Sequence, residues 1–275
     1  MSAVIINADS MQLYKGMDVG TAKLPESQRQ GIAHLLLDVW PVTHTASVAE
    51  YQSLARTCID TQPGPSLLVG GSGLYLRAVL DDLDFPGTNP DVRQRLEHEL
   101  EAHGEAALRQ TLIGLDPIAA AAIPPGNGRR VVRALEVIEI TGAPFSANLP
   151  SYDRPHYPEV VQIGLRLEGR ELDRRIEQRV DRMLEAGLVD EVRELEKQGL
   201  REGVTASRAL GYKEILEHLD GAFDLKAARG QIVANTRRFA RRQQKWFRRD
   251  PRIVWLDAAS PLEIQVEHAV SALRL

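Results

Sequence analysis

The sequence predicts an α/β fold interrupted by a mostly helical segment. Three observations carry this. Short apolar runs, Ala3-Val4-Ile5-Ile6 and Leu67-Leu68-Val69, end at once in polar or glycine-rich turns, as buried parallel strands do. Segments of helical period follow them. From Asn89 to Gly142 the period is helical throughout, and strand-like sequence returns only at about residue 159.

Taken in order, residues 3–8 read as a strand and 34–39 (His-Leu-Leu-Leu-Asp-Val) as a second. Val48, Tyr51, Leu54 and Cys58 space a helix over 46–60. "PSLLVGGSGLYLRAVLDDL" reads as strand, glycine turn, helix. Asn89 is placed to cap a helix that has Pro90 in its first turn. "GRRVVRALEVIEITG" is a helix closed by Gly142. Four prolines make 143–158 a loop. "EVVQIGLRLE" is a strand, followed by helices over 171–185 and 187–198, a segment "ASRALGYKEILEHL", a long helix over about 225–249 and a last strand "RIVWLDA".

The chain has 275 residues, 43% of them apolar and 26% charged, which suits a globular protein of one large or two small domains. No apolar stretch approaches the roughly 20 residues of a membrane span. No basic region precedes the first apolar run, so a signal peptide is not expected. The single cysteine, Cys58, forms no internal disulfide and fits a reducing cytoplasm. Net charge is −4, yet residues 237–252 hold eight basic side chains and one acid. Only six of the 34 basic residues are lysines, and arginine is the residue that forks onto phosphate and stacks on bases.

Several stretches have a pattern that bears chemistry. Asp9 ends the first strand, where open α/β sheets meet their ligands. It reads either as a ligand-facing carboxylate or as the cap of the next turn. "LLVGGSGLYLR" has the shape of a phosphate loop, but Leu76 occupies the third glycine position of a dinucleotide fingerprint, and no Gly-Lys pair makes it a Walker A loop. A tight strand–helix turn explains it equally. Arg129, Arg130 and Arg133 open one helix, as a phosphate-facing or a merely solvated basic face. In "TASRALGYKEI", Thr205 or Ser207 caps a helix start and Arg208 faces an anion, or the helix is simply capped. In "NTRRFARRQQKWFRRDPR", Arg238, Arg242, Lys245 and Arg249 share a face, while Phe239 and Trp246 are expected to anchor the helix in the core. No metal-ligand pattern and no nucleophile elbow occurs.

Six of these stretches occur in an order that resembles the tRNA dimethylallyltransferase family. They are "NADSMQLYKGMDVGTAK", "HLLLDV", "LLVGGSGLYL", "GRRVVRALE", "ASRALGYKE" and "TRRFARRQQKWFRRD", and they span nearly the whole chain. The resemblance implies an α/β fold with a P-loop NTPase-like parallel sheet core, over 1–87 and 155–275, and a helical insertion over 88–154 that grips the tRNA anticodon stem-loop. It implies transfer of a dimethylallyl group from dimethylallyl diphosphate to N6 of the adenosine just 3′ of the anticodon. It assigns Asp9 as the base that meets the amine, with Ser10, Met11, Gln12, Ser72, Arg93, Arg129, Arg130, Val131, Val132 and Arg133 toward tRNA. Arg208 and Lys15 fall to the diphosphate, Mg²⁺ to its neutralisation, and the basic helix to RNA. A cytoplasmic monomer is expected.

Ser72 stands where the family often has Thr, and Lys245 where the commoner wording has Thr. Family members begin with a strand, a G-x-x-x-x-G-K loop ending in Ser or Thr, and a helix. The resemblance therefore implies that this chain starts at the family's second strand, about 30 residues in. The main diphosphate cradle, with the usual hydroxyl ligand of Mg²⁺, would then lie in that earlier segment, the start being misassigned or the form truncated. Two other readings stand beside the enzyme: a catalytically impaired tRNA-binding fragment, and a small-molecule kinase relative of the same fold.

Overall fold

A computed structural model describes residues 3–148, 152, 154–167 and 169–273. Along the chain run β1 (Val4–Asn7), β2 (His34–Leu35), α1 (Val48–Thr61), β3 (Ser66–Val69) and α2 (Gly73–Leu80). Next come α3 (Pro90–Leu115), α4 (Pro117–Ala122) and α5 (Gly128–Thr141). The chain continues through β4 (Gln162–Arg166), α6 (Gly169–Glu185), α7 (Leu188–Lys197), α8 (Tyr212–Leu219) and α9 (Leu225–Phe247), and ends in β5 (Ile253–Asp257) and α10 (Leu262–Ala272). These elements form two compact units, Met1–Leu80 with Tyr157–Leu275, and Asp81–His156.

In the first unit every strand pair is parallel: β2-β1-β3 in one sheet and β4-β5 in another. β1 is the middle strand, and Ile6 and Ala8 are fully buried. That explains its unbroken apolar sequence, since a strand covered on both faces has no side to leave polar. β1 and β3 run in step, Val4 opposite Ser66 and Asn7 opposite Val69. Their carboxyl ends therefore release two loops side by side. The core beneath gathers Leu13, Tyr14, Met17, Tyr51, Val180, Leu188, Tyr212, Ile215 and Ile232.

Three local expectations are corrected. The strand expected over 34–39 ends at Leu35, because Leu36 (φ 61°) and Asp38 (φ 56°) adopt left-handed backbone. Polar partners hold that bend: the Asn7 amide donates to Leu36 O at 3.0 Å, and Lys23 Nζ pairs with Asp38 at 2.6 Å. Phe239 does not anchor α9; it is 38% exposed, with the Arg242 guanidinium 5.9 Å from its ring centroid. α10 had no counterpart in the sequence reading. The loop expected over 143–158 falls partly outside the described residues.

In the second unit α3 packs along α5. Asn89 Oδ1 accepts from Asp91 N and Val92 N, Asp116 Oδ1 from Ala119 N, and Asn127 Oδ1 from Arg130 N. Each cap of this kind contributes about 1 kcal/mol. Gly104, at φ 75° and ψ 170°, interrupts α3, and Gly142 at φ 68° closes α5. The core joins Leu96, Leu108, Leu112, Ala119, Val131, Val132 and Leu135.

Candidate active site

Asp9 lies two residues beyond β1, and Asn7 holds its peptide from both sides. Asn7 Oδ1 accepts the Asp9 N–H at 2.9 Å, and Asn7 Nδ2 donates to Asp9 O at 3.0 Å. Buried Tyr51 donates its hydroxyl hydrogen to Asn7 O at 2.8 Å, which fixes Asn7 in turn. Asp9 Oδ1 accepts the Met11 N–H at 2.8 Å. The carboxylate thus shapes its own turn with one oxygen, as the capping reading of Asp9 expects. Oδ2 has no hydrogen-bond partner among the described residues.

The loop after β3 closes against this turn. A Cβ at Gly70 would collide with the Ala8 backbone, so only glycine lets the strand ends approach. Ser72 N–H donates to Ala8 O at 3.3 Å. Ser72 Oγ accepts the Ser10 N–H and donates to Ser10 Oγ, both at 3.1 Å. α9 secures the other side: Gln243 Nε2 donates to Gly71 O at 2.7 Å, and Trp246 packs where a Gly73 side chain would stand. Arg242 and Lys245 are exposed on that helix, while Arg249, expected on its face, is exposed in the turn just beyond its end at Phe247; none of the three makes an ion pair among the described residues, and Arg238 bonds to Asn235.

A second shell braces the segment from Lys15 to Lys23. Glu191 Oε2 accepts from Asp18 N at 3.1 Å and Val19 N at 2.6 Å; Oε1 accepts from Gly20 N at 3.1 Å and from the Tyr212 hydroxyl at 2.6 Å. Three successive amides around one carboxylate make an anion nest filled from within the protein. Burial, and then the Glu191 charge, push the Tyr212 phenol well above its ordinary pKa, so it stays a donor. Lys23, with 3% of its side chain exposed, binds Tyr14 O, Asp18 and Asp38 at 2.9, 2.7 and 2.6 Å. Gln12 Nε2 and Arg179 Nη2 each donate to Thr21 O at 3.2 Å. Lys15 is exposed.

Arg208 ends a short 3-10 turn, Ala206–Arg208, and is exposed without a side-chain partner among the described residues. Thr205 gives that turn no side-chain cap. Tyr212 packs on Gly20 and binds Glu191. The chain carrying Arg208 is therefore fastened on its C-terminal flank to the stretch that follows Asp9.

In the second unit the six expected tRNA-facing positions separate by environment. Arg129 and Arg130 are exposed with no side-chain partner among the described residues. Val131 and Val132, at 0% and 1% exposure, are core residues, which leaves only their backbone to a ligand. Arg93 and Arg133 both grip the fully buried Glu136, Arg133 at 2.7 Å. Arg133 also donates to Pro86 O at 2.6 Å and Gly87 O at 3.1 Å. Burial alone would raise the Glu136 pKa, but hydrogen bonds from the two arginines outweigh it and hold the carboxyl below its ordinary value. Both arginines thus have structural work that their sequence spacing did not reveal.

Arg179, Glu191 and Lys23 were missed as site residues. The signal for Lys23 was present in "DVGTAK", but Glu191 is 173 residues from Asp18 and Arg179 is 158 from Thr21. No local spacing joins residues so far apart.

A family profile described as IPP transferase matches residues 12–250. A tRNA dimethylallyltransferase of Thermobifida fusca is 61% identical over 264 residues, covering 95% of this chain and 82% of the relative. One from Streptomyces coelicolor is 61% identical over 255 residues, covering 92% and 81%. Among solved structures, the full-length tRNA isopentenylpyrophosphate transferase of Bacillus halodurans superposes with a TM-score of 0.69 at 37% identity, covering 99% of this chain and 88% of that one. A eukaryotic dimethylallyltransferase captured acting on tRNA superposes with a TM-score of 0.78 at 25% identity, covering 93% and 67%.

Proposed function

The chain belongs to the IPP transferase family of tRNA dimethylallyltransferases, and on that premise we propose that Asp9 is the base of a prenyl transfer to tRNA. The reaction joins N6 of the adenosine 3′ of the anticodon to the terminal carbon of dimethylallyl diphosphate. The carbon–oxygen bond to the diphosphate breaks, the diphosphate leaves with the electron pair, and one amine proton passes to Asp9. The lone pair of an exocyclic adenine amine is delocalised into the ring, so the amine attacks weakly. The allylic carbon compensates by ionising easily. What the protein must supply is alignment, a proton acceptor and cationic charge for the leaving group.

The observation that carries this reading is the free Oδ2 of Asp9, held on a turn that Asn7 and Ser72 keep rigid. A carboxylate of ordinary basicity suffices when the amine turns acidic only as its new bond forms. The adenosine must leave its stack to reach it. Arg208, exposed and without a side-chain partner, is placed on the diphosphate, with Lys15 as a further cation. Arg129 and Arg130 take phosphates of the anticodon stem-loop, and the exposed face of α9 adds Arg242 and Lys245, with Arg249 just beyond its end. The chain acts as a monomer, in the cytoplasm, where unmodified tRNA is found.

No three His, Cys, Asp or Glu side chains gather into a metal cage among the described residues. Mg²⁺ on a diphosphate needs none, because substrate oxygens and one or two protein oxygens hold it. When bound it neutralises the departing diphosphate. Incubating the chain with dimethylallyl diphosphate, Mg²⁺ and unmodified tRNA, then analysing nucleosides by mass, tests the reading. An adenosine heavier by one isoprene unit supports it, and unaltered tRNA rejects it.

A further inference from the structure

α6 carries two arginines that the reaction described above leaves unassigned. Most guanidiniums around this helix are neutralised. Arg174 and Arg175 bond to Glu171 at 2.7 and 2.8 Å, and Arg229 of α9 pairs with Asp181. One turn further on, Arg179 and Arg182 have no carboxylate within ion-pair distance among the described residues. They stand three apart, so they share a helix face. Both are exposed.

The single side-chain bond of Arg179 runs to Thr21 O at 3.2 Å, the same oxygen that accepts Gln12 Nε2 at 3.2 Å. A shared acceptor places the guanidinium beside the Gln12 amide, in the turn that starts at Asp9. Surrounding protein pushes the Arg179 pKa down by burial, the charge of Asp9 draws it up, and that of Arg182 pushes it down again. Two like charges on one helix face, neither paired with a carboxylate among the described residues, leave positive charge for an outside anion.

We infer that Arg179, with Arg182 behind it, binds an RNA backbone phosphate flanking the extruded adenosine. The inference rests on the prenyl-transfer reading and deepens it. In-line displacement puts the leaving diphosphate on the far side of the reacting carbon from the amine. A cation beside the base therefore lies on the nucleoside side. There Gln12 and Arg179, fixed by one carbonyl, form a donor pair for the target nucleotide and the phosphate next to it.

The test uses the whole chain and an anticodon stem-loop RNA, with affinity measured against salt concentration and both Michaelis constants measured separately. Arg179→Ala is expected to weaken RNA binding about tenfold or more, as losing a charged hydrogen bond does. It should also flatten the slope of log affinity against log salt by about 0.7 to 0.9. Its KM for dimethylallyl diphosphate should not move. Arg179→Lys should keep the slope and lose part of the affinity. Arg182→Ala removes a side chain that bonds to nothing described, so it tests the site even where Arg179→Ala folds poorly; about a threefold loss of RNA affinity is expected. Unchanged RNA affinity in both alanine variants overturns the inference, as does a raised KM for the diphosphate with RNA binding intact. Because binding is read without turnover, a chain that binds RNA through Arg179 yet makes no prenylated adenosine would defeat the prenyl-transfer reading alone.

Discussion

Glu191 accepts the hydroxyl hydrogen of Tyr212 at 2.6 Å, and the same carboxylate holds the amides of three successive residues, Asp18 to Gly20. One side chain of α7 thereby joins the start of α8 to the segment whose Thr21 carbonyl serves Gln12 and Arg179. Glu191→Gln turns one acceptor into a donor that faces an N–H or the Tyr212 hydroxyl. We expect a loss of about 1–3 kcal/mol, the cost of an unsatisfied buried group, read as a lowered urea midpoint. Turnover should fall with it, since the Thr21 carbonyl loses its support. A variant as stable and active as the parent would show that the nest braces nothing.

Gly70 sets the distance between the two loops of the site. Gly70→Ala pushes a methyl into the Ala8 backbone and forces β3 away from β1. Overpacking of this kind costs about 1–3 kcal/mol, and here it also parts Ser72 from Ser10. We expect transfer to drop more steeply than stability. Thermal melts and initial rates on the same preparation separate the two.

The four arginines of the second unit should divide by function. Arg129→Ala and Arg130→Ala should weaken stem-loop binding and flatten its salt dependence while melting like the parent, since neither side chain has a partner among the described residues. Arg133→Ala strips the fully buried Glu136 of one of its two arginines. Removing one partner of a buried pair costs about 3–5 kcal/mol, reduced here by the Arg93 that remains and by the partial exposure of Arg133. Its melting temperature should fall clearly. If all three variants melt alike, the structural role given to Arg133 is wrong.

Glu136 also sets an acid limit on stability. Its folded pKa lies below the unfolded value, so the unfolded chain binds the proton more readily. The stability it contributes is complete above the ordinary glutamate range, near about 4.3, and is lost as pH falls through the lower folded value. Denaturant titrations from pH 7 to pH 3 should show Glu136→Gln to be less stable at neutral pH, with a gap that narrows in acid. A gap of constant width would rule out this linkage.

The parallel α/β character was legible because β1 opens on the apolar run Val4-Ile5-Ile6 and ends at a polar turn. The helix start at Pro90 was legible because Asn89 is a short-range cap. The break after Leu35 was not, because it depends on Asn7 and Lys23, which reach it only in the folded chain. Phe239 read as core because spacing reports a helix face, not what that face meets. At the site, Asp9 and Ser72 were visible from their local motifs. Glu191 and Arg179 were not, since their partners come from the opposite end of the sequence. Arg133 showed its charge in the sequence but not the buried carboxylate three residues on that occupies it.

The central claim is that the free oxygen of Asp9 takes the amine proton. Asp9→Asn keeps Oδ1 for the Met11 amide and so preserves the turn, removing only the base. Single-turnover transfer by this variant, with tRNA bound to saturation, measures the claim directly. The account predicts unchanged tRNA affinity and a rate lower by about two to four orders of magnitude. A rate equal to that of the unmodified chain would contradict it.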